Sequence, residues 1–324
     1  MARFFRIFLV TALALVVAPA FAQAPRFPSK PIRLIVPFPG GSAIDTIARV
    51  IAEGMGPLLG QRIVVEPMPG AGTVIATQYA IRQPADGYTM VVVTNSAAIK
   101  SSVAKPAFDI RKDLAFIGQF SGSPLFMAVN NELPVKSVQE LVDYARANPG
   151  KLNVSSYGNG TLSHLTAELF MSLTGVKMVH VPYGGSSANG MALAQGATQV
   201  TFDVYNTLRP HQEKGTIRFL AVTSATRSPD APDLPTLRET GAAPLNVETW
   251  GGLATPAGTP PEIIETLGKA LATALKDPAV VAFFKRTGFG LLPEPPTPRA
   301  FAMLANQNVD VFSKLIRDAK LDVE

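Results

Sequence analysis

The sequence predicts an α/β protein built as two doubly wound α/β lobes joined by two crossover strands. Three observations predict it. Short β-prone apolar runs alternate with helix-periodic segments twice, once over residues 32–93 and again over 125–222. The chain then ends in helices with little strand of their own, and such a tail needs a sheet to pack on. With 324 residues, 47% of them hydrophobic, there is enough material for two cores.

The first element is a leader over residues 1–22. Arg3 and Arg6 precede an apolar run over 7–18, and Ala20-Phe21-Ala22 supplies the small residues that signal peptidase accepts. This predicts a secretory signal cleaved after Ala22, hence a periplasmic protein. The apolar run is too short for a membrane span, and no stop-transfer segment follows. Nucleotide cofactors are not routinely available in that compartment.

Residues 23–30 read as an extended lead-in and 32–36 as a buried strand. Pro37 to Ser42 break it. Ile44, Ile47, Ala48, Ile51, Met55, Leu58 and Leu59 then follow helical spacing, with Gly60 placed to end the helix. Residues 63–65 form the next strand. Pro69-Gly70-Ala71-Gly72 is a break before a helix to about Arg82. Asp86-Gly87 is a turn and 88–93 a strand. This order predicts a parallel sheet with right-handed crossovers.

The second unit repeats the plan. Residues 125–129 form a strand. Ser137-Val138-Gln139-Glu140 is a capping box opening a helix to about Ala147. Residues 152–155 form a strand and 156–160 a small-residue loop. The helix after it puts Leu165, Leu169, Phe170 and Leu173 on one face and ends at Gly175. Strands at 177–181, 199–202 and 219–222 and a helix at 188–194 complete the unit. Residues 250–254 form one more strand. Helices then start at Pro260-Pro261, at Asp277 and at Arg299. A tail packed on the first unit makes the first lobe discontinuous, 23–125 with 250–324, around a second lobe of 126–249. The crossings fall near 125–130 and 247–252, and ligands of such folds bind between the lobes.

Composition excludes several functions. The chain carries 29 basic and 24 acidic residues, spread along its length without an aromatic-interleaved cluster, which argues against nucleic acid. There is no cysteine, so disulfides, thiolate metal sites, a cysteine nucleophile and a lipidated anchor are all excluded. His164, His180 and His211 lack metal-ligand spacing. No nucleophile elbow G-x-S-x-G and no P-loop occurs, and Gly70-Ala71-Gly72 lacks the third glycine of a dinucleotide loop. Neither a metal nor a cofactor is expected.

Two loops share one physical design. Phe38 to Ser42 and Ser156 to Thr161 each join a strand to a helix and are rich in small residues. Backbone can approach a ligand closely there, and a helix N-terminus favours an anion. Facing each other, they would trap a carboxylate without an arginine. Both also read as ordinary strand-to-helix turns. Asp45 accepts from a ligand amine or orients the first loop, or else is a first-turn carboxylate stabilising its helix. Asp203 follows a strand end, where cleft residues occur. His164, in the first turn after the second loop, reads as a brace for it.

At this point the residues resemble a family. Phe27-Pro28-Ser29-Lys30-Pro31-Ile32-Arg33-Leu34-Ile35-Val36-Pro37-Phe38 is similar to the start of the Bug (TctC-type) extracytoplasmic solute receptors of tripartite tricarboxylate transporters. The similarity continues through Asp45-Thr46-Ile47-Ala48-Arg49, Pro69-Gly70-Ala71-Gly72 and Ala85-Asp86-Gly87-Tyr88. It resumes in Tyr157-Gly158-Asn159-Gly160-Thr161-Leu162-Ser163-His164-Leu165 and Glu168-Leu169-Phe170. Val181-Pro182-Tyr183-Gly184-Gly185, Phe202-Asp203, Trp250-Gly251-Gly252 and Ala257-Gly258-Thr259-Pro260 complete it.

The resemblance implies a type II periplasmic-binding-protein-like fold and a non-catalytic receptor closing on a small carboxylate. It implies ligand contacts from Phe38, Gly40, Gly41, Ser42 and Ala43, and from Ser156, Gly158, Asn159, Gly160 and Thr161. His164 would brace the second loop, and Tyr183, Gly185 and Asp203 would line the second lobe's side. A membrane permease is the implied partner, and a monomer is expected. The family usually reads Pro-Phe-Pro-Pro-Gly-Gly-Ser-Thr-Asp where this chain has its glycine pair one position early and Ile44 in place of a hydroxyl. That departure predicts altered ligand specificity on an unchanged fold. The rival readings are a periplasmic sensor for a membrane signalling partner and an exported hydrolase using Ser156 or Ser163 with His164.

Overall fold

The computed structural model describes residues 27–287, 290–292, 297–319 and 321. The leader expected over 1–22, with its cleavage point, lies outside them.

Two five-stranded mixed sheets carry the fold. In the first, β1 (Ile32–Val36) pairs parallel with β2 (Ile63–Pro67) and β3 (Thr89–Thr94). Strand β10 (Glu248–Pro256) runs antiparallel between β3 and β4 (Leu114–Pro124). In the second, β6 (Asn153–Ser156) pairs parallel with β7 (Val179–Pro182) and β8 (Val200–Asp203). Strand β5 (Phe126–Asn130) runs antiparallel between β8 and β9 (Ile217–Val222).

The parallel order expected over residues 32–93 holds for β1, β2 and β3, and β6, β7 and β8 repeat it. Each sheet has one antiparallel strand, and in each it is the strand that arrives from the other sheet. Its direction is set by that crossing and not by a helical crossover within the sheet. Strand β4 runs into β5 across Pro124-Leu125-Phe126, and residues 223–247 lead back into β10.

Helix α1 (Ala43–Leu59) shows why local sequence was informative. Ser42 caps it, with Oγ accepting from Asp45 N at 3.2 Å, and Gly60 closes it at φ +67°, in the left-handed region. Ile47, Ile51 and Met55 are wholly or almost wholly buried against Ile32 and Leu34. Helices α2 (Val74–Ile81), α3 (Asn95–Ser101) and α4 (Ile110–Asp113) follow.

The second unit holds α5 (Val138–Ala147), α6 (Leu162–Thr174), α7 (Ser186–Ala194) and α8 (Tyr205–Glu213). At the start of α5, Ser137 Oγ accepts from Glu140 N at 3.1 Å, while Glu140 Oε2 accepts from Lys136 N at 2.7 Å. The capping box thus closes one residue early. Helix α6 buries Leu165 and Phe170, but Leu173, expected on the same face, is 46% exposed. Leu162 and Thr166 turn inward instead.

The tail forms α9 (Pro261–Ala274), α10 (Pro278–Thr287) and α11 (Pro298–Ala319). Helix α9 packs on α1, and α11 packs on α3 and β4 and also touches α6. A single apolar cluster, from Ile35 and Val91 through Phe301 to Leu165 and Phe202, therefore runs from the first sheet into the second. Among the described residues no helix is long and apolar enough to cross a membrane.

Candidate functional site

The first loop leaves β1 at Val36. Gly41 has φ +79°, a conformation glycine adopts without strain. Asp45 is almost wholly buried and turns back into this loop. Its carboxylate accepts from Gly41 N at 2.9 Å and from Arg49 Nε at 3.0 Å and Nη2 at 3.1 Å. Burial opposes ionisation, yet the Arg49 guanidinium and the Gly41 amide together hold the Asp45 carboxyl below its ordinary range. Of the roles open to Asp45, this is the geometry of loop orientation.

The second loop leaves β6 at Ser156. Gly158 and Gly160 have φ of +146° and +65°. Thr161 caps α6 and its hydroxyl donates to Gly158 O at 2.7 Å. Ser156 Oγ accepts from Gly158 N at 3.2 Å and lies 2.7 Å from His180 Nε2. Gly160 N donates to His164 Nδ1 at 3.1 Å, so the His164 proton belongs on Nε2, 3.6 Å from Glu168 Oε1. The two imidazoles stack, with centroids 3.8 Å apart and planes within 12°. Burial and the neighbouring His164 push His180 down to about 4. It is neutral at physiological pH and serves as a fixed hydrogen-bonding wall behind the loop.

This arrangement bears on the hydrolase reading. Ser156 and Ser163 are wholly buried. Ser163 donates to Phe202 O, and the histidine beside Ser156 is His180, not His164. Neither hydroxyl is placed to meet a substrate.

The third part is tied by Asp203, which is wholly buried. It accepts from Ser186 Oγ at 2.9 Å, from Asn189 Nδ2 at 2.6 Å and from Val204 N at 2.7 Å. Ser186 opens α7 and Val204 caps α8, so one carboxylate holds two helix N-termini in place. Burial raises its pKa to about 6 despite those donors. Burial and the facing Asp203 charge also raise the Tyr157 phenol, which stays a neutral donor. Tyr183 N donates to Ser156 O at 2.9 Å, and Gly185 precedes α7 at φ +133°.

A cleft of about 720 Å³ lies between the two sheets' loops. From the first lobe it is lined by Phe38, Ile44 and Ile47, by Thr94 to Ser96, and by Ser121 and Ser123. The crossing strand adds Thr249 to Gly251. From the second come Phe126, Tyr157, Leu162, Ser186, Ser187, Met191, Val204 to Thr207 and His211. The described lining contains no lysine or arginine, and Asp230 is its one carboxylate.

Of the residues singled out from sequence, Phe38 is in this wall. Gly40, Gly41, Ser42, Ala43 and Asp45 flank the wall residues Phe38 and Ile44. Ser156, Gly158, Asn159, Gly160, Thr161 and His164 flank Tyr157 and Leu162. Tyr183 and Gly185 precede Ser186, and Asp203 precedes Val204. Sequence reasoning missed Thr94 to Ser96 and Tyr205 to Thr207. Both sit at a strand-to-helix step like the two loops it did choose, so the same signal would have found them. Ser121, Ser123, Thr249 and His180 carried no local signal. Among the described residues no group of three His, Cys, Asp or Glu is placed to hold a metal ion.

Comparison with known proteins follows the geometry. A family model described as tripartite tricarboxylate transporter family receptor matches residues 47–321. The protein BugT of Bordetella pertussis (strain Tohama I) is 32% identical over 280 residues, 86% of this chain and 85% of BugT. An R. palustris protein solved with adipate is 31% identical, with a TM-score of 0.76 over 91% of this chain and 99% of that one. A TctC solute binding protein from Polaromonas, solved without ligand, has a TM-score of 0.82 at 26% identity, over 90% of this chain and 99% of that one.

Proposed function

This chain belongs to the tripartite tricarboxylate transporter receptor family, whose role is solute binding, and on that premise we propose the finer assignment. The protein is a periplasmic, non-catalytic, monomeric receptor that closes on a small carboxylate. Its lobes are residues 23–125 with 250–324 and residues 126–249, and a tripartite tricarboxylate-type permease receives the ligand. The leader over 1–22, cleaved after Ala22, exports it.

One observation carries this reading. First-turn residues of five helices, Ile44 of α1, Asn95 of α3, Leu162 of α6, Ser186 of α7 and Tyr205 of α8, meet at one cleft whose described wall holds no lysine or arginine. Helix N-termini supply N–H donors and positive potential without a guanidinium. The ligand contacts are Phe38, Gly40, Gly41, Ser42 and Ala43 on one side. Gly158, Asn159, Gly160, Thr161, Tyr183 and Gly185 face them, with Asp45, Ser156, His164 and Asp203 holding the loops in shape. Ligand bridging both sides shifts the population toward the closed state.

The test is a thermal-shift and calorimetric screen of the chain from Gln23 against carboxylic acids. A carboxylate at a hundred times its Kd stabilises by about 2.7 kcal/mol and is recovered unchanged. Silence across carboxylates, or chemical conversion of the hit, overturns the reading. Loss of uptake in a deletion strain separates transport from sensing.

A further inference from the structure

Resting on that receptor reading, we propose that the cleft selects a carboxylate with a single acidic group and an apolar body, aromatic or aliphatic, over di- and tricarboxylates. The apolar part of the wall is large and comes from both lobes: Phe38 and Ile47 on one side, Phe126, Met191 and Tyr205 on the other, and Trp250 on the crossing strand. Trp250 is 3% exposed and its indole N–H is engaged outside the cleft, donating to Asn308 Oδ1 at 3.0 Å. It therefore offers the ligand a ring and no donor.

Asn95 and Ser186 of the wall are similarly committed, while the Thr94 hydroxyl is buried without a partner. Asn95 Oδ1 accepts from Trp250 N at 2.8 Å, and Asn95 Nδ2 donates to Glu248 O at 3.1 Å. The Ser186 hydroxyl donates to Asp203. Among the described residues of this wall a second carboxylate would meet no lysine or arginine. The charges it would meet are negative: Asp230 in the wall and Asp203 behind Ser186. The wall's one imidazole, His211, belongs to α8, where Arg209 pairs with Glu213. One acidic group can take the helix N-terminal donors, but a second, with no cation to offset its desolvation or its repulsion by the first, is disfavoured, whereas an apolar body gains by leaving water. A cleft of about 720 Å³ has room for a ring or a medium chain.

Trp250 is the chain's one tryptophan, so its fluorescence reports on this wall alone. The experiment titrates the chain from Gln23 at pH 8 with matched pairs: benzoate against phthalate, and hexanoate against adipate. Benzamide stands as the uncharged control. The monocarboxylates are expected to bind at least about tenfold more tightly than their dicarboxylate partners.

Met191 is 49% exposed, so Met191→Lys adds a cation to the wall without disturbing the core. It is expected to narrow or reverse the preference. A dicarboxylate that binds as tightly as its partner, or a preference unmoved by M191K, overturns this inference and leaves the carboxylate receptor standing. Failure of every acid, or benzamide equalling benzoate, overturns the receptor reading itself.

Discussion

Replacing Asp203 by asparagine tests how the second lobe holds its loops. The carboxylate is wholly buried among three donors, and burial lifts its pKa from 3.8 to about 6. A carboxyl group with a raised folded-state pKa holds its proton in the folded chain after the unfolded chain has released it. Stability therefore falls as pH rises from about 4 to about 6, then stays level. A shift of that size corresponds to about 3 kcal/mol. Asparagine does not titrate. It keeps one oxygen for Ser186 and Val204, but its amide faces the Asn189 amide. Asn189 Oδ1 is buried without a partner, so a flip of Asn189 supplies the acceptor and forfeits the bond from Nδ2 to Thr201 Oγ1. That lost bond costs about 1 kcal/mol at every pH. Asp203→Asn should thus be about 1 kcal/mol less stable than the parent at pH 4 and about 2 kcal/mol more stable at pH 7. Urea unfolding of both proteins from pH 4 to 8 measures the difference. Two curves that run parallel across that range would refute the argument, because the burial of this one carboxylate would then carry no proton linkage.

Two further changes probe other parts of the same frame. His180 has a lowered pKa, about 4 against 6.5, so it contributes stability above pH 6.5 that is lost as pH falls through about 4. His180→Gln keeps a hydrogen-bonding group beside Ser156 and should remove that loss, giving a difference curve of opposite slope to the Asp203 one; equal slopes would sink the assignment. Gly252 lies in β10, where an added Cβ would meet the Phe301 ring and stand 2.7 Å from Gly118 O. The backbone oxygen cannot swing aside, so Gly252→Ala should cost about 2–3 kcal/mol, read from the urea midpoint at unchanged m-value. A near-neutral result would mean that β4 and β10 can separate freely.

How much of this is legible in the sequence depends on whether the signal is local. Helix α1 is, because Ser42 and Gly60 bracket a strictly periodic run. Strand β4 is not. Gly118, Ser121, Gly122 and Ser123 interrupt its β-pattern, and its partner β10 lies far along the chain. Helix α8 was hidden by Pro210 and a polar surface. The direction of β10 was not legible, because a sequence pattern shows that a strand exists but not from which side it enters the sheet. In the site, the small-residue loops announced themselves by composition. The role of His180 rests on contacts with Ser156 and His164 that only the folded chain creates, as does the clamp of Asn95, Asn308 and Trp250.

The placement of charge explains how such a site can change its ligand and keep its fold. Asp45 with Arg49 stands behind the first loop, His164 with Glu168 behind the second, and Asp203 behind the starts of α7 and α8. None of these five side chains is in the cleft wall. The ionisable groups that hold the loops from behind are therefore distinct from the residues of the wall. Wall positions such as Met191 and Ile44 can be exchanged without leaving a buried charge unpaired, the kind of change that costs most. Proteins solved with different solutes, adipate and malate, share this fold at 31% and 28% identity to this chain. Ile44 in the first loop is a wall position of this kind, while Asp45 grips Gly41 from behind.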